Sequence, residues 1–441
     1  MKSFSTLLLG VGMIVASSSA HAETSAEAQL RALMDQNRSL QDQVQAQQRA
    51  IEQLRDELGA MRLEGQRHEK ELRTLEEHVE SPRAVPASAV SRAREIRLSG
   101  QAGIAFFKTG SAGQLPNSEF RLDDAKLFLE APVAKNIYLF TGLDLQTREA
   151  GDDSFHLGEY YVDLENVSGA WGRDRLLNVR VGRFNIPFGE EYQVRDMLSN
   201  PLISHSVADI WGFDVGAEIY GEVGRFSYVA AVQNGGNDGL RDYNSDKSVA
   251  LRIGYDPLAW LHLSVSGMRT GDINVKNDVF SALWFGNGFF RALGSAGTTS
   301  LFSADLAELD VAMRGKRHSL KATAGWVKFG DNDTTQSNAR HLNTYSIEAV
   351  QEIADSFFAA ARLSEVRAPR GYPLVGWGNF GTYLFANPQT VYLRRLSLGL
   401  GYRISRPVVL KFEYAFERGQ LTSGTVRDHE NLLSTELALQ F

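Results

Sequence analysis

From residue 95 to its end the chain repeats one pattern, an alternation of apolar and polar residues with a period of two. In Leu433–Phe441, residues Thr435, Leu437, Leu439 and Phe441 share one face, and Ser434, Glu436, Ala438 and Gln440 share the other. Near residue 96, Ile96, Leu98, Ala102, Ile104 and Phe106 oppose Arg97, Ser99 and Gln101. Val408, Leu410, Phe412, Tyr414 and Phe416 oppose Lys411 and Glu413 in the same way. A period of two belongs to a β-strand whose faces meet different surroundings. No run of eighteen apolar residues follows residue 22, so membrane-spanning helices are excluded there.

Sixteen such strands can be placed, and their connections alternate between short and long. Tight links fall at Glu222-Val223-Gly224, Asp256-Pro257-Leu258, Gly315-Lys316, Ala354-Asp355 and Arg406-Pro407; long ones span 185–210, 271–303 and 369–390. A soluble sandwich needs neither this alternation nor strands of about ten residues, the length that crosses a bilayer. The expected fold is therefore all-β, a 16-stranded antiparallel transmembrane β-barrel over residues 95–441. Its short turns and both its ends would lie in the periplasm. Tyr255, Trp326, Tyr402, Phe416 and Phe441 fall near strand ends on the apolar face and suit interfacial girdles. The terminal Phe441 resembles the C-terminal assembly signal of bacterial outer-membrane barrels.

The N-terminal part is different material. Lys2, the apolar run Leu7–Val15 and Ala20-His21-Ala22 predict a secretory signal peptide over 1–22. Over 23–80, heptad spacing places Leu30, Val44, Ile51, Leu58 and Leu72 at one seam position and Leu33, Leu40, Leu54, Met61 and Leu75 at the other. This predicts an α-helical coiled coil preceding the barrel, and a coiled coil makes the chain oligomeric. Asn37 and Gln47 in the seam favour one register; Gly65 and His68 weaken its middle. With eight basic and thirteen acidic residues it would be a solvated periplasmic rod. Residues 81–94, with Pro82 and Pro86, read as a linker. The absence of cysteine excludes disulfides and thiolate chemistry, and a net charge of −7 excludes a basic nucleic-acid footprint.

The most specific text lies between 120 and 190. Phe120-Arg121-Leu122-Asp123-Asp124-Ala125-Lys126-Leu127-Phe128-Leu129-Glu130, then Tyr160-Tyr161-Val162, then Val181-Gly182-Arg183-Phe184-Asn185-Ile186-Pro187-Phe188-Gly189 resemble, in that order, the phosphate-selective porin O/P family. The resemblance implies a trimeric sixteen-stranded channel whose third long loop, here 185–210, folds into the lumen as a constriction. That would bring Glu190, Glu191, Tyr192, Arg195, Asp196 and His205 towards the pore. A loop lying over the mouth is the other placement. The chain departs from the family where Asp123 and Asp124 stand for two arginines and Asn185 for a lysine.

The lumen-facing set contains Arg97, Lys126, Arg180, Arg252, Lys321, Arg362, Arg403 and Lys411. It also contains Asp144, Glu159, Asp163, Asp214, Glu218, Glu348 and Glu413, so acids nearly balance bases. Anion channels need rings or ladders of Arg and Lys. The expectation from this balance is a weakly selective, passive outer-membrane channel for small hydrophilic solutes; the resemblance leans it towards anions and implies a homotrimer, held by barrel and coiled coil. The alternative is an envelope tether in which the rod meets periplasmic or cell-wall components and the barrel serves as anchor. Gly376-Trp377-Gly378-Asn379-Phe380-Gly381 has dinucleotide-loop spacing but no strand-to-helix unit around it. Neither metal-ligand spacing nor a marked nucleophile occurs, so no cofactor, no metal and no enzymatic activity are expected.

Overall fold

The structure, a computed structural model, describes residues 96–146, 154–194, 196–235, 245–274, 283–285, 299–335, 338–384 and 388–441. The signal peptide, coiled coil and linker expected over 1–94 lie outside the described residues, as does Arg195.

The described residues form one antiparallel sheet closed on itself. Its first nine strands run in order around the wall: β1 (Arg97–Thr109), β2 (Glu119–Ala134), β3 (Ile137–Gln146), β4 (Ser154–Leu164), β5 (Asn178–Asn185), β6 (Ile210–Val223), β7 (Phe226–Gln233), β8 (Ser248–Leu258) and β9 (Leu261–Arg269). Two short pieces follow, β10 (Ile273–Asn274) and β11 (Leu283–Phe285). The wall then resumes with β12 (Leu301–Arg314), β13 (His318–Asp331), β14 (Arg340–Ala354), β15 (Phe357–Tyr372), β16 (Thr390–Ser405) and β17 (Val408–Leu421). After the short β18 (Val426–Arg427) comes the last strand, β19 (Leu432–Gln440). Leaving aside β10, β11 and β18, sixteen long strands make the barrel.

Closure is made by β19, which pairs with β17 on one side and with β1 on the other, from Gln101–Gln440 to Thr109–Leu432. Phe441 extends the ladder: its N–H donates to the Gly100 carbonyl at 3.0 Å, and the Gly100 N–H donates back at 3.1 Å. No strand edge is left open at the seam, which is what a hydrocarbon surrounding would require.

The outer face is apolar and exposed. Ile104, Leu309 and Leu400 are 52%, 54% and 55% accessible, and Leu122, Val181, Ile219, Leu251, Val265, Ile347 and Phe412 behave alike. So large a continuous apolar surface marks a face that meets something other than water. Alternation along β2 survives an interruption. The register with β1 shifts between Ala102 and Gly103, and the extra residue, Asp124, has φ +22°. The bulge reverses the side-chain parity, so Leu122 and Leu127 share the outer face, and Asp123 and Lys126 the inner one.

The lumen departs from the uniformly polar surface the alternation predicts. Towards the long-loop end, the inner faces of β12 to β16 present Phe302, Leu306, Val327, Phe329, Leu342, Val366 and Leu393, all buried. Their partners come from loops, namely Ile186, Phe188, Val207 and Leu374. A strand apolar on both faces reports one contact with the exterior and one with protein. In Trp326-Val327-Lys328-Phe329 of β13, Val327 and Phe329 are the inner pair.

Candidate pore constriction

The connection between β5 and β6 enters the barrel because of how β5 ends. Gly182 takes φ +143°, a conformation costly for any other residue. Beyond it β5 leaves β4, whose pairing stops at Tyr160–Arg183, yet stays paired with β6 as far as Asn185–Phe213. The β4 carbonyls left without a strand partner are met by side chain: Arg183 Nε donates to Leu157 O (3.2 Å) and Gly158 O (2.9 Å). The Asn185 N–H donates to Glu159 Oε1 at 3.3 Å. Pro187 then ends the strand, having no N–H to donate. Ile186 and Phe188 sink into the apolar cluster on the inner wall.

The loop crosses the lumen and is fastened on the far side. Near its start, Arg252 on β8 donates from Nη1 to Gly189 O (2.9 Å) and Tyr192 Oη (3.0 Å), and its Nε lies 3.5 Å from Glu190 Oε1. Burial pushes the Tyr192 phenol above its ordinary pKa. Glu191 begins a 3-10 turn, Glu191–Val194, and its Oε1 accepts the Ser206 N–H at 3.0 Å. Asp196 accepts the N–H groups of Leu198 (3.0 Å) and Ser199 (2.8 Å), so it caps a turn.

Three strands of the far wall, β15, β16 and β17, then hold the loop. Lys411 Nζ donates to Met197 O (2.7 Å) and Leu202 O (3.1 Å) and pairs with Glu436 at 2.7 Å. Glu413 Oε2 accepts the N–H groups of Ile203 (2.6 Å) and Ser204 (2.7 Å), and its Oε1 accepts the Ser204 hydroxyl. Arg362 donates to Ser204 O and Asn200 Oδ1, both at 2.8 Å, while ion-paired to Glu348. Arg395 donates to His205 O at 2.8 Å and pairs with Glu417 at 2.6 Å. These side chains share the face opposite Leu363, Leu396, Leu410 and Phe412, so the loop lies inside the barrel and not over its mouth.

A second segment, between β15 and β16, also turns inward. Arg427 donates to Leu374 O and Val375 O, both at 2.7 Å, and stands 3.6 Å over the Tyr383 ring. The Trp377 N–H donates to Glu417 Oε1 at 2.5 Å, and its ring lies 6.0 Å from Phe107. Burial first, and then a hydrogen bond with Glu430, push the Tyr383 phenol up to about 12. The glycine-spaced run 376–381 is thus a lumen-side loop with one helical turn, Phe380–Tyr383, capped by Asn379.

Space is left beside the first loop. Two cavities, of about 160 and 360 Å³, share Tyr192 in their walls. The first also meets Lys126, Asp144, Glu159 and Asp196; the second meets Arg180, Glu218, Tyr220 and Arg252. Between them the wall carries a stack running from strand to strand. Phe128 lies 5.9 Å from Phe140, Phe140 5.0 Å from Tyr161, and the Arg180 guanidinium 4.3 Å from the Tyr161 ring and 5.2 Å from the Tyr220 ring. Arg180 is held there by Asp163 (2.8 Å) and Glu218 (2.9 Å).

The eight bases read as pore-lining divide by position. Lys126, Arg180, Arg252, Lys321 and Arg403 border lumen cavities, each with carboxylates nearby. Lys321 is 3.7 Å from Glu348, and Arg403 makes two 2.7 Å bonds to Glu352. Arg97 is 80% exposed at the rim, 3.6 Å from Glu130, and lines no constriction. Lys411, 1% exposed, and Arg362, 7% exposed, lie behind the loop as its anchors, because backbone carbonyls and glutamates use up their donors. His205 contributes its carbonyl. Arg395, Glu417 and Arg427 are anchors that alternation alone did not single out. The available signal was the mixed charge on neighbouring inner faces, Arg395, then Lys411 with Glu413, then Glu436, a pattern suited to mutual neutralisation.

No protein-family model and no curated protein matches the chain. Solved structures do. OmpTdeltaL8, the loop L8 deletion mutant of the outer membrane protein OmpT of Vibrio cholerae, is 12% identical, with 79% of this chain and 100% of that one covered and a TM-score of 0.51. The outer membrane channel DcaP of Acinetobacter baumannii is 11% identical over 80% of this chain and 99% of that one, with a TM-score of 0.51. An anion-selective porin from Comamonas acidovorans is 13% identical over 79% and 99%, with a TM-score of 0.50. At such identities the likeness is one of fold: the chain has the closed sixteen-stranded barrel of outer-membrane porins.

Proposed function

We propose that the protein is a passive diffusion channel of the bacterial outer membrane for small hydrophilic solutes. The observation that carries this reading is the loop 186–209, folded inside a closed barrel with an apolar exterior and tied to the wall by buried charges. A fixed internal loop in a lipid-facing barrel sets a size limit without moving parts. Solutes would pass beside it, along the cavities bordered by Lys126, Arg180 and Arg252. Transport would need neither cofactor nor catalysis.

Selectivity on this reading is weak, since Arg180, Arg252, Lys321 and Arg403 each stand beside an acid and a field of one sign does not build up. Assignment to the phosphate-selective type of porin rests on the run Val181–Gly189 and the order of the segments around it. The heptad pattern of 23–80 supports an oligomer with a periplasmic rod, and the family resemblance supports a homotrimer. Planar-bilayer recording in a salt gradient tests the proposal. Stepwise open conductance with a reversal potential near zero is the expected result. Folded protein that inserts without any conductance would exclude a channel, and the tether reading would then stand.

A further inference from the structure

The two rims of the barrel differ on their outer faces. At the short-turn end most outward strand positions are apolar or aromatic, among them Leu98, Phe226, Tyr255, Phe357 and Tyr402, and Lys135 and Arg225 stand in the turns. At the long-loop end, bases stand at outward strand positions across the sector from β9 round to β1, with the acids Asp305 on β12 and Glu365 on β15 among them. Arg269 on β9, Lys328 on β13, Arg367 on β15, Arg394 on β16, Arg418 on β17 and Lys108 on β1 are all exposed there. Four of the six continue an apolar outward row directly. Lys328 is two residues beyond Trp326, Arg418 two beyond Phe416, Arg394 two beyond Leu396 and Lys108 two beyond Phe106. Two residues of strand span about 7 Å. The bases therefore form a belt just past the level at which the apolar surface ends.

Register aligns them sideways as well. Arg269 and Lys328 both stand opposite Asp305, Arg394 stands opposite Glu365, and Arg394 stands directly opposite Arg418. Arg367 and Arg394 share the single carboxylate of Glu365. Arg418 and Lys108 make no ion pair among the described residues. Like charges facing each other across a ladder destabilise it unless an anion lies between them. Guanidinium groups a strand spacing apart suit phosphate oxygens, which they meet with charge-assisted, bidentate bonds.

We propose that this sector of the long-loop rim, centred on Arg394 and Arg418, is a binding surface for the phosphate groups of an outer-leaflet glycolipid. The inference rests on the outer-membrane reading above, which places the long loops outside. Charge complementarity and position favour a lipid: the belt sits at the edge of the apolar band, where a headgroup is and where a dissolved anion has no reason to collect.

The test measures diphosphoryl lipid A retained by the folded full chain in mild detergent, by native mass spectrometry. Arg394→Gln with Arg418→Gln should lower the affinity about tenfold or more, taking roughly a tenfold effect for the two surface charges together. Lys135→Gln with Arg225→Gln, on the opposite rim, should leave it unchanged. Equal retention by the Arg394/Arg418 variant would overturn the proposal, as would an equal loss in the Lys135/Arg225 variant. Displacement of lipid A by equimolar inorganic phosphate would overturn the glycolipid assignment. Conductance recorded on the same samples separates the two readings: lipid binding without conductance would remove the channel and keep the surface.

Discussion

Lys411 shows how little a residue's sequence position reveals of its work. On β17 it occupies an inner-face position like those of Lys321 and Arg403 on their strands, and alternation assigns all three to the lumen. The difference is what lies in front of it. The loop from β5 covers Lys411, so its ammonium spends its donors on Met197 O, Leu202 O and Glu436. Breaking a buried charge pair by removing one partner costs about 3–5 kcal/mol, because the other charge stays buried without compensation. Lys411→Met should therefore lower the unfolding free energy of the barrel by about that amount, measured by denaturant titration in detergent. Single-channel records of the variant should show added flicker as the loop loses two carbonyl anchors. Arg403→Gln at the more open Arg403–Glu352 pair should cost within about 1 kcal/mol.

At the scale of elements, the hairpin of β5 and β6 decides that there is a constriction at all. Gly182 is the hinge. Its φ of +143° and the closeness of the Tyr160 and Tyr161 backbone leave no room for a side chain. Gly182→Val should destabilise the fold by about 2 kcal/mol or more, from backbone strain and the clash together. Gly267→Val on β9 is the matched control: a Cβ there meets open space, so its effect should stay within about 0.5 kcal/mol. Thermal unfolding of both variants in one detergent would check the contrast. Strand existence and order were legible in the alternation, and so was the pairing of β19 with β1. Strand length was read short, since β16 and β17 run past the apolar band to Thr390 and Leu421. Period-two patterning loses contrast where a strand leaves that band. The bulge at Asp124 was also invisible, because one inserted residue looks like a brief lapse of alternation.

Across the whole molecule, sequence patterning conveyed the solvent of the outer face and little of the inner one. Lipid imposes a uniform demand on every outward residue, and the alternation records it strand by strand. The lumen is partly filled by the chain's own loops, so its inner residues answer to local partners that no periodicity encodes. The inward fold of 372–384 around Arg427 and Glu417 was missed for that reason. The loop 185–210 was anticipated only through its resemblance to porins of known build. Beside the two seated loops the barrel keeps cavities bordered by bases and acids together, which on the proposed reading form a narrow, charge-balanced passage. Swelling of liposomes that hold the folded protein, in isotonic solutions of uncharged solutes of rising size, tests that passage most directly. The account predicts rapid swelling with the smallest solutes and a steady decline as size increases. Liposomes that swell no faster than protein-free ones with even the smallest solute would contradict it.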